Sequence, residues 1–214
     1  MMLKEQFTIH DKNLIIDKVR LIQFATCIIF ADKRFITTSL PLRIYQQEDQ
    51  IIFQGHVSRG NEIWRYANGQ NPTLVIFQGP NAYIHPGWYE TKKITGRAVP
   101  TWNYEAFHFH GTAEKREEIS WLTDLLERMV AENEEKQSHP WKMADAPAEY
   151  IQSQLKAIVG LEIRVQQVEA VAKMSQNHPA ENRLGVINGL NQGSVSEQAV
   201  STLMRALEQK KEKL

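Results

Sequence analysis

The sequence predicts a mainly β, α+β fold: an antiparallel barrel or sandwich with helices at its periphery. Three observations lead there. The strand-like runs of the first half are short, the breaks between them are tight, and few helical patterns separate them. A doubly wound parallel sheet would need a crossover helix between successive strands.

The elements follow in order. Asp11 can cap a first helix whose Leu14, Ile15, Val19 and Ile22 share a face. Residues 24–30 read as a buried strand, and 35–42, 50–56, 72–77 and 102–111 follow as short strands. Asp32-Lys33, Gln46-Gln47-Glu48-Asp49 and Gly79-Pro80 separate them as turn signals. Beyond them Trp121, Leu122, Leu125, Leu126, Met129 and Val130 recur at helical spacing, with Glu117 and Glu118 expected in the first turn, where the helix dipole favours acids. Residues 159–168 alternate through Leu161, Ile163 and Val165 as a further strand. Pro179 opens a helix carrying Val186, Ile187 and Leu190, and Ser194 with Glu197 forms a capping box for a last helix. That helix ends in Lys210-Lys211-Glu212-Lys213, read as a solvated end.

Composition narrows the function classes. The chain has 214 residues, enough for one large domain or a domain with a helical appendage. Lys plus Arg and Asp plus Glu both total 25, so no global basic field draws it to nucleic acid or an anionic membrane. The single Cys27 sits in an apolar run, which excludes an internal disulfide and suits a buried thiol in a reducing, cytoplasmic setting. No run approaches the ~18 apolar residues of a membrane span, and no secretory signal pattern opens the chain.

Two polar segments could carry a ligand. Gly55-His56-Val57-Ser58-Arg59-Gly60-Asn61 lies between a strand and a helical-looking Glu62–Tyr66, which would gather Ser58, Arg59 and Asn61 at a helix start. Such a place suits an anion such as phosphate, although spacing alone favours a polar turn that caps the helix. Lys173-Met174-Ser175-Gln176-Asn177 precedes the Pro179 helix and repeats that chemistry, with capping by Asn177 as the alternative. Between them, aromatics interleaved with Gly, Pro and Asn around Trp88, Tyr89 and Trp102 suit either core packing or a flat aromatic ligand. His108 and His110 share a strand face, but two histidines are too few for a metal site, and none is expected. No nucleophile elbow, Walker loop, Rossmann fingerprint or zinc-ribbon spacing is present, so catalytic residues are not identified.

Four ordered motifs, at 55–61, 77–89, 99–104 and 173–177, resemble the PaiB-like family of FMN-binding proteins, described as negative transcriptional regulators of sporulation and protease production. The resemblance covers roughly residues 1–190. It implies a split β-barrel related to pyridoxamine-phosphate oxidases and flavin reductases, and a homodimer with FMN in a groove between subunits. By position it implies that Ser58, Arg59 and Asn61 hold the FMN phosphate. Lys173, Ser175, Gln176 and Asn177 would line the same groove, with Trp88, Tyr89 and Trp102 at the flavin or dimer surface. The expected division is an FMN-binding domain at 1–192 and a helical extension at 193–214. The chain departs from the family at Ser39, before Leu40-Pro41, where His is common, and at Gly60 and His110.

Function then divides three ways. The first reading is an FMN-binding regulator, with DNA as partner on the family's description alone. The second is an FMN-dependent oxidoreductase, of flavin reductase or oxidase type, drawing on NAD(P)H. The third is a haem-binding split barrel with His85, His108 or His110 as axial ligand.

Overall fold

The computed structural model describes residues 4–211 and divides them into two compact units. One comprises 16–77 and 108–168; the other is drawn from the described parts of 1–15, 78–107 and 169–214.

The first unit is built on a seven-stranded sheet in the order β2-β1-β5-β6-β7-β4-β3. The strands are β1 (Phe24–Ala31), β2 (Arg34–Pro41), β3 (Arg43–Gln47), β4 (Gln50–Ser58), β5 (Asn68–Ile84), β6 (Thr101–Arg116) and β7 (Ile158–Lys173). β1 pairs antiparallel with β2 and β5, and β4 with β3 and β7. β2 and β3 are the outer strands, yet Leu42 alone joins them. One residue spans at most about 3.6 Å, so the two edges of the sheet must meet and the sheet closes into a barrel. Gly55 permits this closure. A Cβ there would lie 2.8 Å from both the Pro41 carbonyl oxygen and Leu42 Cδ2. Inside the barrel Phe53 meets Phe109 edge-on at 4.9 Å and Phe77 at 5.3 Å, all three fully buried.

The β1–β2 turn is the two-residue type expected at Asp32-Lys33, both with positive φ (50° and 60°). β3 was not expected from the sequence: only Ile44 of its five residues is buried, which leaves almost no alternation to read. A second departure lies at Gly79-Pro80, which the sequence marks as a break and which β5 runs straight through. The pairing of β5 with β1 covers Thr73–Ile76, so Pro80 lies beyond it, where its missing N–H costs no bond to β1. Glu117 and Glu118 precede α3 (Ile119–Glu134), with Glu118 as N-cap, rather than filling its first turn. α4 (Ala148–Lys156) also belongs to this unit and buries Leu155.

α1 (Lys12–Ile22) starts as expected, with Asp11 Oδ1 accepting from the Asn13 and Leu14 amides at 2.9 and 3.2 Å. The second unit holds α2 (Glu90–Thr95), α5 (Ala180–Leu190) and α6 (Val195–Lys211). Ala82, Ile84, Tyr89, Met174, Val186, Leu190, Val200 and Met204 form its core. Ser194 and Glu197 make the anticipated capping box, the Ser194 amide donating to Glu197 Oε2 at 2.7 Å. Of the lysine-rich end, α6 reaches Lys211; Glu212 and Lys213 lie outside the described residues.

Candidate functional site

Ser58, Arg59 and Asn61 fall in the barrel unit, and their polar atoms are largely committed to the fold. Asn61 Oδ1 accepts from the Ile63 amide at 3.0 Å, and its Nδ2 donates to Thr38 Oγ1 at 2.8 Å. It therefore caps a 3-10 turn, Glu62–Tyr66, too short to bring a helix dipole to bear on a ligand. Ser58 Oγ accepts from the Gly60 amide at 3.2 Å. The Arg59 guanidinium donates to Glu117 Oε1 at 2.8 Å and to the Lys156 and Ile158 carbonyls at 3.1 and 3.3 Å, while it flanks the Trp64 ring.

The second unit holds a cavity of about 780 Å³, lined by Tyr89, Arg97, Thr101, Lys173, Ser175 and Asn177 among others. Three of the four sequence motifs thus meet here through Tyr89, Thr101 and the Lys173–Asn177 segment. The meeting follows from local structure. β7 delivers Lys173 at its end, where Nζ donates to Thr101 Oγ1, and Met174 turns into the core. Ser175 then takes a left-handed conformation (φ 58°) that costs a non-glycine residue about 1–2 kcal/mol. It is held there by Asn103, fully buried, whose Nδ2 donates to Ser175 Oγ at 3.0 Å. The reversal aims Ser175, Asn177 and His178 into the cavity. Pro179, not Asn177, is the N-cap of α5.

The charge balance of this cavity is one-sided. Lys4, Arg97 and Lys173 line it, and no carboxylate is among its described lining residues. Tyr89 is 3% exposed and its hydroxyl has no hydrogen-bond partner among the described residues. Burial pushes the phenol's pKa up and nearby Ser175 pulls the other way, although no contact between the two meets hydrogen-bond geometry. His178 stacks on Tyr89, and its pKa is lowered first by burial and then by Lys173. A neutral phenol donor without an acceptor, unpaired cations, a hydroxyl and an amide together fit a phosphorylated ligand with an aromatic or polyhydroxyl body, as FMN is.

The other expected residues lie elsewhere. Trp88 packs on the unit's core, where Gly185 and Gly189 of α5 come too close to it to carry a Cβ. Gln176 ties the backbone together, its Nε2 donating to the Ala172 carbonyl and its Oε1 accepting from the Met174 amide, both at 2.6 Å. Trp102 is 53% exposed, edge-on to Tyr83. Arg97, Lys4 and His178 are cavity residues that the sequence reading passed over. His178 directly follows the Lys173–Asn177 motif, which was the available signal; Arg97 and Lys4 stand in stretches with no pattern to mark them. Among the described residues no group of three His, Cys, Asp or Glu is placed to hold a metal ion.

An antiparallel seven-stranded barrel that buries an aromatic core and carries peripheral helices is the fold of the flavin-binding split barrels. Residues 1–167 match the family described as "Putative FMN-binding domain". The chain belongs to that family and carries an FMN-binding domain of the PaiB-like type. It is 34% identical over 185 residues to "Protease synthase and sporulation protein PAI 2" of Bacillus subtilis, covering 85% of each chain. It is also 34% identical over 152 residues to the uncharacterized protein AN0679 of Emericella nidulans, covering 65% of this chain and 61% of that one. Among solved structures it resembles the FAD and heme binding protein of Mycobacterium smegmatis, with TM-score 0.58 at 13% identity over 83% of this chain and 78% of that one. It is similar too to the flavocytochrome Anf3 of Azotobacter vinelandii, with TM-score 0.53 at 11% identity over 79% and 72%. At these identities the likeness is one of fold.

Proposed function

We propose that the chain binds FMN as a homodimer, with the cofactor in a groove between copies, and serves as a PaiB-type negative regulator of transcription in the cytoplasm. The observation that carries the flavin site is the meeting of Tyr89, Thr101, Lys173, Ser175 and Asn177 around one carboxylate-free cavity. In this reading 1–192 carries the cofactor and 193–214 extends it. FMN would supply redox chemistry if any is used; the chain's part is to bind it, orient it and exclude water. No helix among the described residues is long and apolar enough to cross a membrane.

An apolar face of the barrel supports the homodimer. Phe30 and Phe35 are 42% and 71% exposed with ring centroids 5.0 Å apart, beside a hollow of about 620 Å³ lined also by Ile28, Pro72 and Leu74. Exposed aromatic pairs over an apolar hollow are what a subunit contact buries. Sedimentation velocity should give a dimer for the wild type and a monomer for Phe35→Glu.

The flavin reading is tested by reconstitution with FMN followed by gel filtration. A retained visible band near ~450 nm supports it, and colourless protein counts against it. DNA binding needs its own test, a mobility shift at defined salt with and without FMN, because the neutral net charge gives it no electrostatic support. One observation favours an oxidoreductase as second reading: Tyr89 and His178, both able to carry a proton, line the same cavity. Anaerobic mixing of the FMN-loaded protein with NADH or NADPH decides it, since an oxidoreductase of this type would bleach the flavin.

A further inference from the structure

We infer that the cavity of the second unit also receives small organic carboxylates, bound by the Tyr89 hydroxyl and the Lys173 ammonium, and that they compete there with FMN. The competition rests on the flavin reading above; the carboxylate site itself does not.

The neutral polar side chains beside Tyr89 largely satisfy one another. Asn182 Nδ2 donates to Thr91 Oγ1 at 2.8 Å, and its Oδ1 accepts from the Thr91 amide at 3.0 Å. Ser175 Oγ accepts from Asn103 Nδ2 at 3.0 Å and donates to Asn103 Oδ1 at 3.2 Å. The Tyr89 hydroxyl stands outside these exchanges: the residue is 3% exposed, and its oxygen is buried without a partner among the described residues. Its ring is packed in the unit's core and stacked on His178 at 4.7 Å, so the hydroxyl cannot swing away to find one. A buried donor left in this way costs about 1–3 kcal/mol, which an acceptor on a ligand would recover.

An ammonium has three N–H donors, and Lys173 gives one to Thr101 Oγ1. Arg97 and Lys4 add positive charge to the lining, and none of the described lining residues is a carboxylate. Burial raises the pKa of the phenol, which keeps it a donor at neutral pH. The phenol and these cations are all donors, and their complement is an acceptor-only anion. Phosphate and carboxylate share that chemistry. Phe7, Ala98 and Val99 complete the lining with apolar surface, which favours a carboxylate on a short aromatic or aliphatic body over an inorganic ion.

The experiment is isothermal titration of the flavin-free full chain with benzoate, with benzamide and inorganic phosphate as comparisons, followed by FMN titrations at rising benzoate. Benzoate should bind about tenfold or more tightly than benzamide, which has the same ring and no charge, and more tightly than phosphate. Its affinity should fall as salt rises. Tyr89→Phe and Lys173→Gln should each weaken benzoate about tenfold, the effect of one hydrogen bond to a charged group. The apparent Kd for FMN should rise in proportion to benzoate. Benzoate no better than benzamide or phosphate, or benzoate affinity that survives Tyr89→Phe, overturns the inference and leaves the flavin reading standing. FMN affinity that bound benzoate does not alter overturns the competition and moves the flavin out of this cavity. Failure to bind FMN while benzoate binds as expected overturns the flavin reading, and the competition with it, but leaves the carboxylate site standing.

Discussion

The Tyr89 ring lies nearly parallel to the His178 imidazole, 14° between planes and 4.7 Å between centroids, at the wall of one cavity. The stack fixes the phenol in a place where its hydroxyl has nothing to donate to. A buried, unsatisfied polar group costs about 1–3 kcal/mol, so Tyr89→Phe should leave the apoprotein as stable or slightly more stable. The same substitution should weaken FMN binding. Thermal melting and flavin titration on one preparation check both halves, and a large drop in Tm with unaltered affinity would make Tyr89 a packing residue only.

His178 also gives the cavity a pH dependence. Its pKa is lowered by burial and then by Lys173, and His56, whose Nδ1 is buried without a partner among the described residues, is lowered by burial. The unfolded chain then binds more protons than the folded one below the ordinary imidazole value of 6.5. Stability should therefore be full above that pH and fall as pH drops through it. Melting curves between about pH 7.5 and 5.5 should show this, with a shallower slope for His178→Gln. The carboxylates act in a lower window. Glu162 is pushed up by burial but held below 4.5 overall by Arg116 and Gln54, so its share is lost only below that value.

Arg59 should prove a residue of the fold. Its guanidinium joins the Glu117 carboxylate to the Lys156 and Ile158 carbonyls. Arg59→Ala should cost about 1–2 kcal/mol, because the carbonyl bonds add to an exposed pair that contributes little alone. FMN affinity should change less than twofold. Undiminished stability with a tenfold loss of flavin would return the phosphate to Ser58, Arg59 and Asn61.

Glu162 is a buried carboxylate held by several donors in the barrel. It is 6% exposed and accepts from Arg116 Nη2 at 2.8 Å and Gln54 Nε2 at 3.0 Å. Arg116→Met leaves this carboxylate only Gln54 and a longer contact from Arg164 Nη2 at 3.4 Å, and should cost about 2–3 kcal/mol, whereas the double substitution with Glu162→Leu should cost distinctly less. Denaturant unfolding of both variants supplies the comparison. Equal losses would mean that the two residues act independently.

Much of the fold was legible in the sequence because burial alternates along β1 and recurs at helical spacing along α3 and α5, while β4 and β7 each carry a run of five successive buried residues. What escaped was set by partners far along the chain. β3 is an edge strand with one buried residue, and β5 continues through Gly79-Pro80 because its pairing with β1 has ended by then. The site was half legible. The Lys173–Asn177 motif pointed to a cavity, but which side chains face it depends on the left-handed turn at Ser175, which no local propensity announces. Trp88 stands among loop glycines and prolines, which suit a flavin or dimer surface; Gly185 and Gly189, which pack against it, lie a hundred residues away on α5. Gly55–Asn61 carries donors in sequence, yet whether they are spent depends on Glu117 and Thr38.

The central claim, that flavin occupies the cavity around Tyr89, Thr101, Lys173 and Ser175, is tested most directly by amide hydrogen exchange with and without FMN. Exchange should slow across 88–104 and 173–182, with 55–62 changing less than either. Protection at 55–62 with none in those two segments, or no protection anywhere under saturating FMN, would contradict it.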